Sequence, residues 1–122
     1  MSKAYTANLD LYEKLVATHA SVERKGATIP YTSFNGHMFS FLSKEGKLCL
    51  RLLAEERELF LEKYKTKLCV QYGSIMKEYV DVPHTLLKKT QELKKYFAMS
   101  YAYVGALKPK PTKKKASGRR GR

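Results

Sequence analysis

Cysteines, histidines, serines and a glutamate cluster are the groups in this 122-residue chain that could do covalent or acid–base chemistry. Cys49 and Cys69 are the only thiols. A structural metal site wants four ligands, usually spaced as C-x-x-C or H-x-x-x-H. Neither spacing occurs, so no metal is expected. A redox pair would need the two cysteines on adjacent strands in register. The reading adopted is two small buried or half-buried side chains. Two thiols and no apolar leader at the N-terminus suggest a reducing, cytoplasmic setting and not a disulfide scaffold.

His37 follows Asn35-Gly36 and opens an apolar run. A catalytic base needs partners at fixed geometry, and His19 and His84 are remote in sequence. His37 therefore reads as a partly exposed strand residue. Glu55, Glu56 and Glu58 could do acid–base work only if their environments differed, but consecutive residues on a short helix point apart and face water. At its first turn they favour the helix dipole. Ser40, Ser43, Ser74 and Ser100 lack a G-x-S-x-G context, and no G-x-G-x-x-G or P-loop occurs. No catalytic residue, no cofactor and no enzymatic activity are expected.

Charge points elsewhere. The chain has 24 basic and 11 acidic residues, a net of +13. Residues 108–122 hold eight of the positive charges and no acid: Lys108, Lys110, Lys113, Lys114, Lys115, Arg119, Arg120 and Arg122. With its Pro, Gly and Ser content this stretch is expected to be a disordered tail. Lysine and arginine on phosphates release counterions, giving sequence-independent, salt-sensitive affinity for DNA or RNA. Arg120-Gly121-Arg122 also resembles the core of a minor-groove hook, without the proline that usually follows. The preceding residues 1–107 carry a milder net charge of +5, and the folded domain is expected over 5–107. Arg51, Lys77, Lys88, Lys89, Lys94 and Lys95 supply its basic surface. Tyr79, Tyr96 and Tyr103 are either stacking platforms for bases or edges of the core.

The elements that position these groups follow from periodicity. Leu11, Leu15 and Val22 predict a helix over 5–24, interrupted on that face by Thr18. Pro30 limits 27–34 to an edge strand or an extended approach. Asn35-Gly36 is a strong hairpin turn, "HMFSFLS" a strand, and Glu45-Gly46 a second turn into "KLCLRLL". Residues 54–64 form a short helix with Phe60 and Tyr64 on its inner face. "KLCVQY" and "IMKEYVDV" read as strands around Gly73-Ser74. Pro83 opens one long helix with a stripe of Leu86, Thr90, Leu93, Phe97, Tyr101 and Val104. The order α-β-β-β-α-β-β-α, with short turns between strands, predicts one α+β domain. It has an antiparallel sheet and helices mainly on one face. No run is apolar enough to span a membrane as a helix.

The ordered combination of Asn35-Gly36, Met38-Phe39 and Leu50-Arg51-Leu52 before an acidic helix carries a resemblance. Met76-Lys77-Glu78-Tyr79-Val80 with Pro83, Ser100-Tyr101-Ala102-Tyr103 and Leu107-Lys108-Pro109 complete it. Over residues 8–112 the chain resembles the N-terminal domain of the TfoX/Sxy family. Many members have a Met-Phe-Gly step where Ala27-Thr28-Ile29-Pro30-Tyr31 stands here. The resemblance implies a secretion-chaperone-like α+β fold and a non-enzymatic regulatory role, since some members regulate competence genes in bacteria. Two other functions stay open: a homodimeric, chaperone-like interaction module without a nucleic-acid role, and a small thiol/redox protein.

Overall fold

The computed structural model describes residues 3–26 and 28–109. Its elements are α1 (Lys3–Ala17), β1 (Tyr31–Phe34), β2 (His37–Leu42), β3 (Leu48–Arg51), α2 (Ala54–Tyr64), β4 (Leu68–Gln71), β5 (Ser74–Val82), α3 (His84–Leu87) and α4 (Thr90–Ala106). The five strands form one antiparallel sheet in the order β1-β2-β3-β5-β4. The expected α+β architecture is the observed one.

Turn chemistry sets the two hairpins. Asn35 (φ 62°) and Gly36 (φ 82°) close β1–β2, with Phe34 opposite His37. Tyr72 (φ 53°) and Gly73 (φ 77°) close β4–β5, with Gln71 opposite Ser74. Positive φ at both central residues matches the right-handed twist of the flanking strands. The second turn lies one residue earlier than the expected Gly73-Ser74.

One sheet face receives all four helices. Leu42, Leu48, Leu50, Val80 and Val82 bury there against Tyr12 and Leu15 of α1, Phe60 of α2, Leu86 and Leu87 of α3, and Leu93 and Phe97 of α4. Simple alternation fails at one place in β2. Thr32 pairs with Ser40 but Ser33 with Met38, so Phe39 is an extra residue in the ladder. This bulge turns both Phe39 and Ser40 toward the helices. The Phe39 ring meets Phe97 at 5.3 Å, and the Ser40 hydroxyl shares a 2.7 Å hydrogen bond with Tyr12. Thr32 extends this buried hydroxyl chain through Ser40. Burial raises the Tyr12 phenol far above its ordinary range, against the hydrogen bonds from Ser40 and Thr32.

Two helix expectations are corrected. The first helix ends at Ala17, not at residue 24. Thr18, which breaks the apolar stripe, turns its hydroxyl back onto the Leu15 carbonyl at 2.6 Å and competes with the helical ladder. The final helix is not continuous from Pro83. After one turn, α3 stops at Leu87, and Lys89 (φ −104°, ψ 73°) redirects the chain into α4. Leu86 and Leu87 are consecutive and both buried, which a straight surface helix does not accommodate on one stripe. At the other end α4 runs through Gly105 to Ala106. A Cβ at 105 would lie 2.8 Å from the Phe34 ring, which stacks on Tyr101 at 4.2 Å. The glycine makes room for that stack.

The β4–β5 hairpin is bent. Leu68 pairs with Val80, but Cys69 pairs with Met76, so three residues of β5 have no counterpart in β4. Beyond the bend the hairpin leans over the sheet face away from the helices. Gln71, Tyr72, Ser74 and Met76 share a groove there with Ile29, Met38 and Phe41, on the far side of the sheet. A second small core results, from Phe41, Cys49, Cys69 and Tyr79, with Ile29, Tyr31, Met38 and Met76 packed around it.

Candidate functional sites: a cysteine pair and the root of the basic segment

Cys49 sits on β3 and Cys69 on β4, and β5 lies between those strands. In a flat sheet such residues would be two strand spacings, nearly 10 Å, apart. The fold-over brings their Cα atoms to 6.1 Å, and the two sulfurs form a disulfide. This corrects the expectation of two unpaired thiols. The cysteines are buried, as expected, at 3% and 2% exposure. They pair across β5 and not between adjacent strands.

A cavity of about 240 Å³ reaches the pair, lined also by Lys47, Lys67, Asp81 and the hairpin residues Val70 to Gly73. Asp81 stands opposite Cys49 in the β3–β5 register. Burial pushes its carboxyl above the ordinary range, against the pull of Lys47 and Lys67. Tyr79 closes the second core from β5. Burial pushes its phenol up to about 12, and the hydroxyl donates to the Met38 carbonyl at 2.8 Å.

The second site is at the end of α4. Asn35 Nδ2 donates to the Leu107 carbonyl at 2.7 Å and to the Val104 carbonyl at 3.2 Å. The Val104 carbonyl also accepts from the Leu107 N–H at 3.2 Å, while the Leu107 carbonyl lies at the cap position, where a helix end leaves such groups without intrahelical partners. His37 Nε2 donates to the Lys108 carbonyl at 2.9 Å. The Asn35-Gly36-His37 turn is therefore also a clamp on the start of the basic segment. Lys108 itself is exposed. Lys110, Lys113, Lys114, Lys115, Arg119, Arg120 and Arg122 lie outside the described residues, as does nearly all of the expected 108–122 tail.

Several other candidates do not assemble. Arg51 is engaged: its Nε donates to Glu78 at 2.6 Å, and its guanidinium lies 5.5 Å from the centre of the Tyr103 ring. Tyr103 also donates to Glu78 at 3.2 Å. Burial disfavours the Glu78 charge, but the Arg51 hydrogen bond and charge outweigh it and hold the carboxyl below the usual range. Of the two alternatives for the tyrosines, the core-edge one fits: Tyr79 and Tyr96 are buried, and the Tyr103 ring already holds Arg51. Lys88, Lys89, Lys94 and Lys95 are exposed. His19 packs its ring on Tyr101 at 4.3 Å. Ser40 and Ser100 are buried in structural hydrogen bonds, Ser100 donating to the Phe39 and Arg51 carbonyls. Among the described residues no three metal-ligating side chains cluster, and no helix is long and apolar enough to cross a membrane.

No family model matches this chain, and neither a curated protein nor a solved structure does.

Proposed function

We propose that the chain is a non-enzymatic regulatory and interaction module of the TfoX-like kind, acting in transcription or competence-type control. In this reading the α+β domain is a platform, and the basic segment 108–122 binds DNA or RNA through phosphates without reading sequence. The observation that supports it is the clamp at Asn35 and His37, which holds the root of a segment carrying eight positive charges and no negative one. A run of like positive charge with no acid among it attracts a polyanion at long range and raises its rate of encounter.

The test compares the full chain with one lacking residues 110–122, a cut that keeps the His37–Lys108 contact. Fluorescence anisotropy on a DNA duplex and on single-stranded RNA is read across a salt series. If all seven removed charges contacted duplex phosphates, log affinity would fall against log salt with a slope of about −6. Truncation is expected to abolish most binding and flatten the slope. Absence of binding at low salt, or equal binding by the shorter chain, refutes the nucleic-acid role.

A second reading, a homodimeric or partner-binding module, is favoured by the hairpin tip. Val70, Tyr72 and Ile75 are 56%, 80% and 62% exposed, an apolar surface beside the edge strand β4. Light scattering at high concentration decides: a monomer that stays monomeric counts against self-association.

A further inference from the structure

We propose that Cys49 and Cys69 form a thiol–disulfide exchange site whose state decides whether the β4–β5 hairpin stays closed over the outer face of the sheet. The inference is independent of nucleic-acid binding. It rests on three features of the fold. First, the pair joins strands that β5 separates, so the bond depends on the hairpin being folded over. Second, the ladder between β4 and β5 is interrupted where the hairpin bends, leaving residues 77–79 of β5 with no β4 partner. The pairing of β5 with β3 ends at Tyr79 and the Leu52–Glu78 bond, so the named strand ladders pair the distal hairpin only within itself. Third, what the hairpin covers is apolar: Phe41 and Tyr79, with Met38 and Ile29 beside them.

The chemistry balances with a dithiol as co-reactant. A thiolate of the dithiol attacks one cysteine sulfur, the Cys49–Cys69 bond breaks, and the other cysteine leaves as a thiolate and is protonated. The second thiol of the reductant then displaces the first cysteine from the mixed disulfide. Two electrons and two protons have reached the protein, which holds two thiols, and the reductant leaves as a cyclic disulfide. The cavity that reaches the sulfurs gives the dithiol its access, and Lys47 and Lys67 line it together with the acidic Glu45 and Asp81. Reduction removes the cross-link between residues 20 positions apart and lets the hairpin lift, uncovering the second core.

Hydrogen exchange read by mass spectrometry tests this on the full chain. It is measured oxidised, reduced with dithiothreitol, and as the C49S/C69S variant, with alkylation under denaturing conditions to count thiols. Reduction is expected to speed exchange in 69–76 by up to about 250-fold, the factor that closing a loop of this length corresponds to. Amides of α1 and α4 should stay as protected as before. The double variant should match the reduced protein. Re-oxidation by a glutathione mixture should restore both the bond and the protection. Unchanged exchange in 69–76 on reduction overturns the proposal. So does loss of protection throughout the domain, which would make the bond a general staple, and so does failure of the bond to re-form while the chain stays folded. The reduced wild-type chain keeps the test decisive if the double variant does not fold.

Discussion

Asn35 has two duties that substitution can separate. It adopts φ 62° in the β1–β2 turn, and its amide caps the end of α4 through the Leu107 and Val104 carbonyls. N35G keeps the turn and removes the cap. The bond at 2.7 Å is the stronger of the two, and both are half-buried, so water recovers part of the loss. Two hydrogen bonds of ordinary net worth then give a cost of about 1–2 kcal/mol. N35A loses the same bonds and adds about 1 kcal/mol for placing an L-residue with a Cβ in the left-handed region. N35D tolerates that backbone but turns a carboxylate toward two carbonyl oxygens at the negative end of α4. That adds about 0.3–1 kcal/mol at neutral pH. The expected order of stability is wild type, then N35G, then N35A and N35D together. Urea unfolding measures it, with an unchanged slope showing that the midpoint shift is a stability change. In heat the N35G loss should lower Tm by roughly 4 °C or more. An N35G variant within about 0.3 kcal/mol of wild type would mean that the amide bonds contribute nothing net. N35A no worse than N35G would refute the backbone part.

Other expected outcomes concern charge and the buried hydroxyls. Glu78 is held ionised in the fold by Arg51, so its contribution is present above the unfolded carboxyl pKa and lost as pH falls through the folded value. E78Q should therefore be less stable than wild type at pH 7, with the gap closing below about pH 4 in a pH series of urea midpoints. Asp81 has the opposite sign: burial raises its pKa, so its ionisation costs stability once pH exceeds the unfolded value. D81N should be more stable than wild type at pH 7 and indistinguishable from it below about pH 3, and a less stable D81N at pH 7 would refute that account. Y12F removes one hydroxyl from the buried Tyr12–Ser40–Thr32 chain and should cost about 1–2 kcal/mol in urea unfolding.

Much of the architecture was legible because short-range chemistry dictates it. Asn35-Gly36 and Glu45-Gly46 announced their turns, Leu48 and Leu50 announced a face, and Phe60 announced the inner side of α2. The misses share a cause: their partners are distant in sequence. The β2 bulge has no mark of its own, because Met38, Phe39 and Phe41 are apolar on both faces. The break before α4 did leave a trace in adjacent Leu86 and Leu87, which no single helical stripe explains. The cysteine pairing required knowing that β5 bends and carries β4 over the sheet. The interrupted β4–β5 ladder that allows it is a tertiary fact. Asn35 and His37 were readable as a turn but not as a clamp, since their acceptors lie 69 to 72 residues further along.

That separation has a consequence for how the protein is made. The β1–β2 hairpin emerges early from the ribosome, yet α4 supplies the cap acceptors for Asn35, the ring beneath Phe34 and the Ser100 hydroxyl for the Phe39 carbonyl. At ordinary translation speeds the nascent hairpin waits on the order of ten seconds for them. Until then the inner sheet face, with Leu48, Leu50 and Phe39, has no helix α4 to cover it. The interval before α4 appears is when this chain is most open to mispairing and to chaperone capture. Synonymous codon changes that slow synthesis of residues 90–106 should lower soluble yield without altering the finished protein.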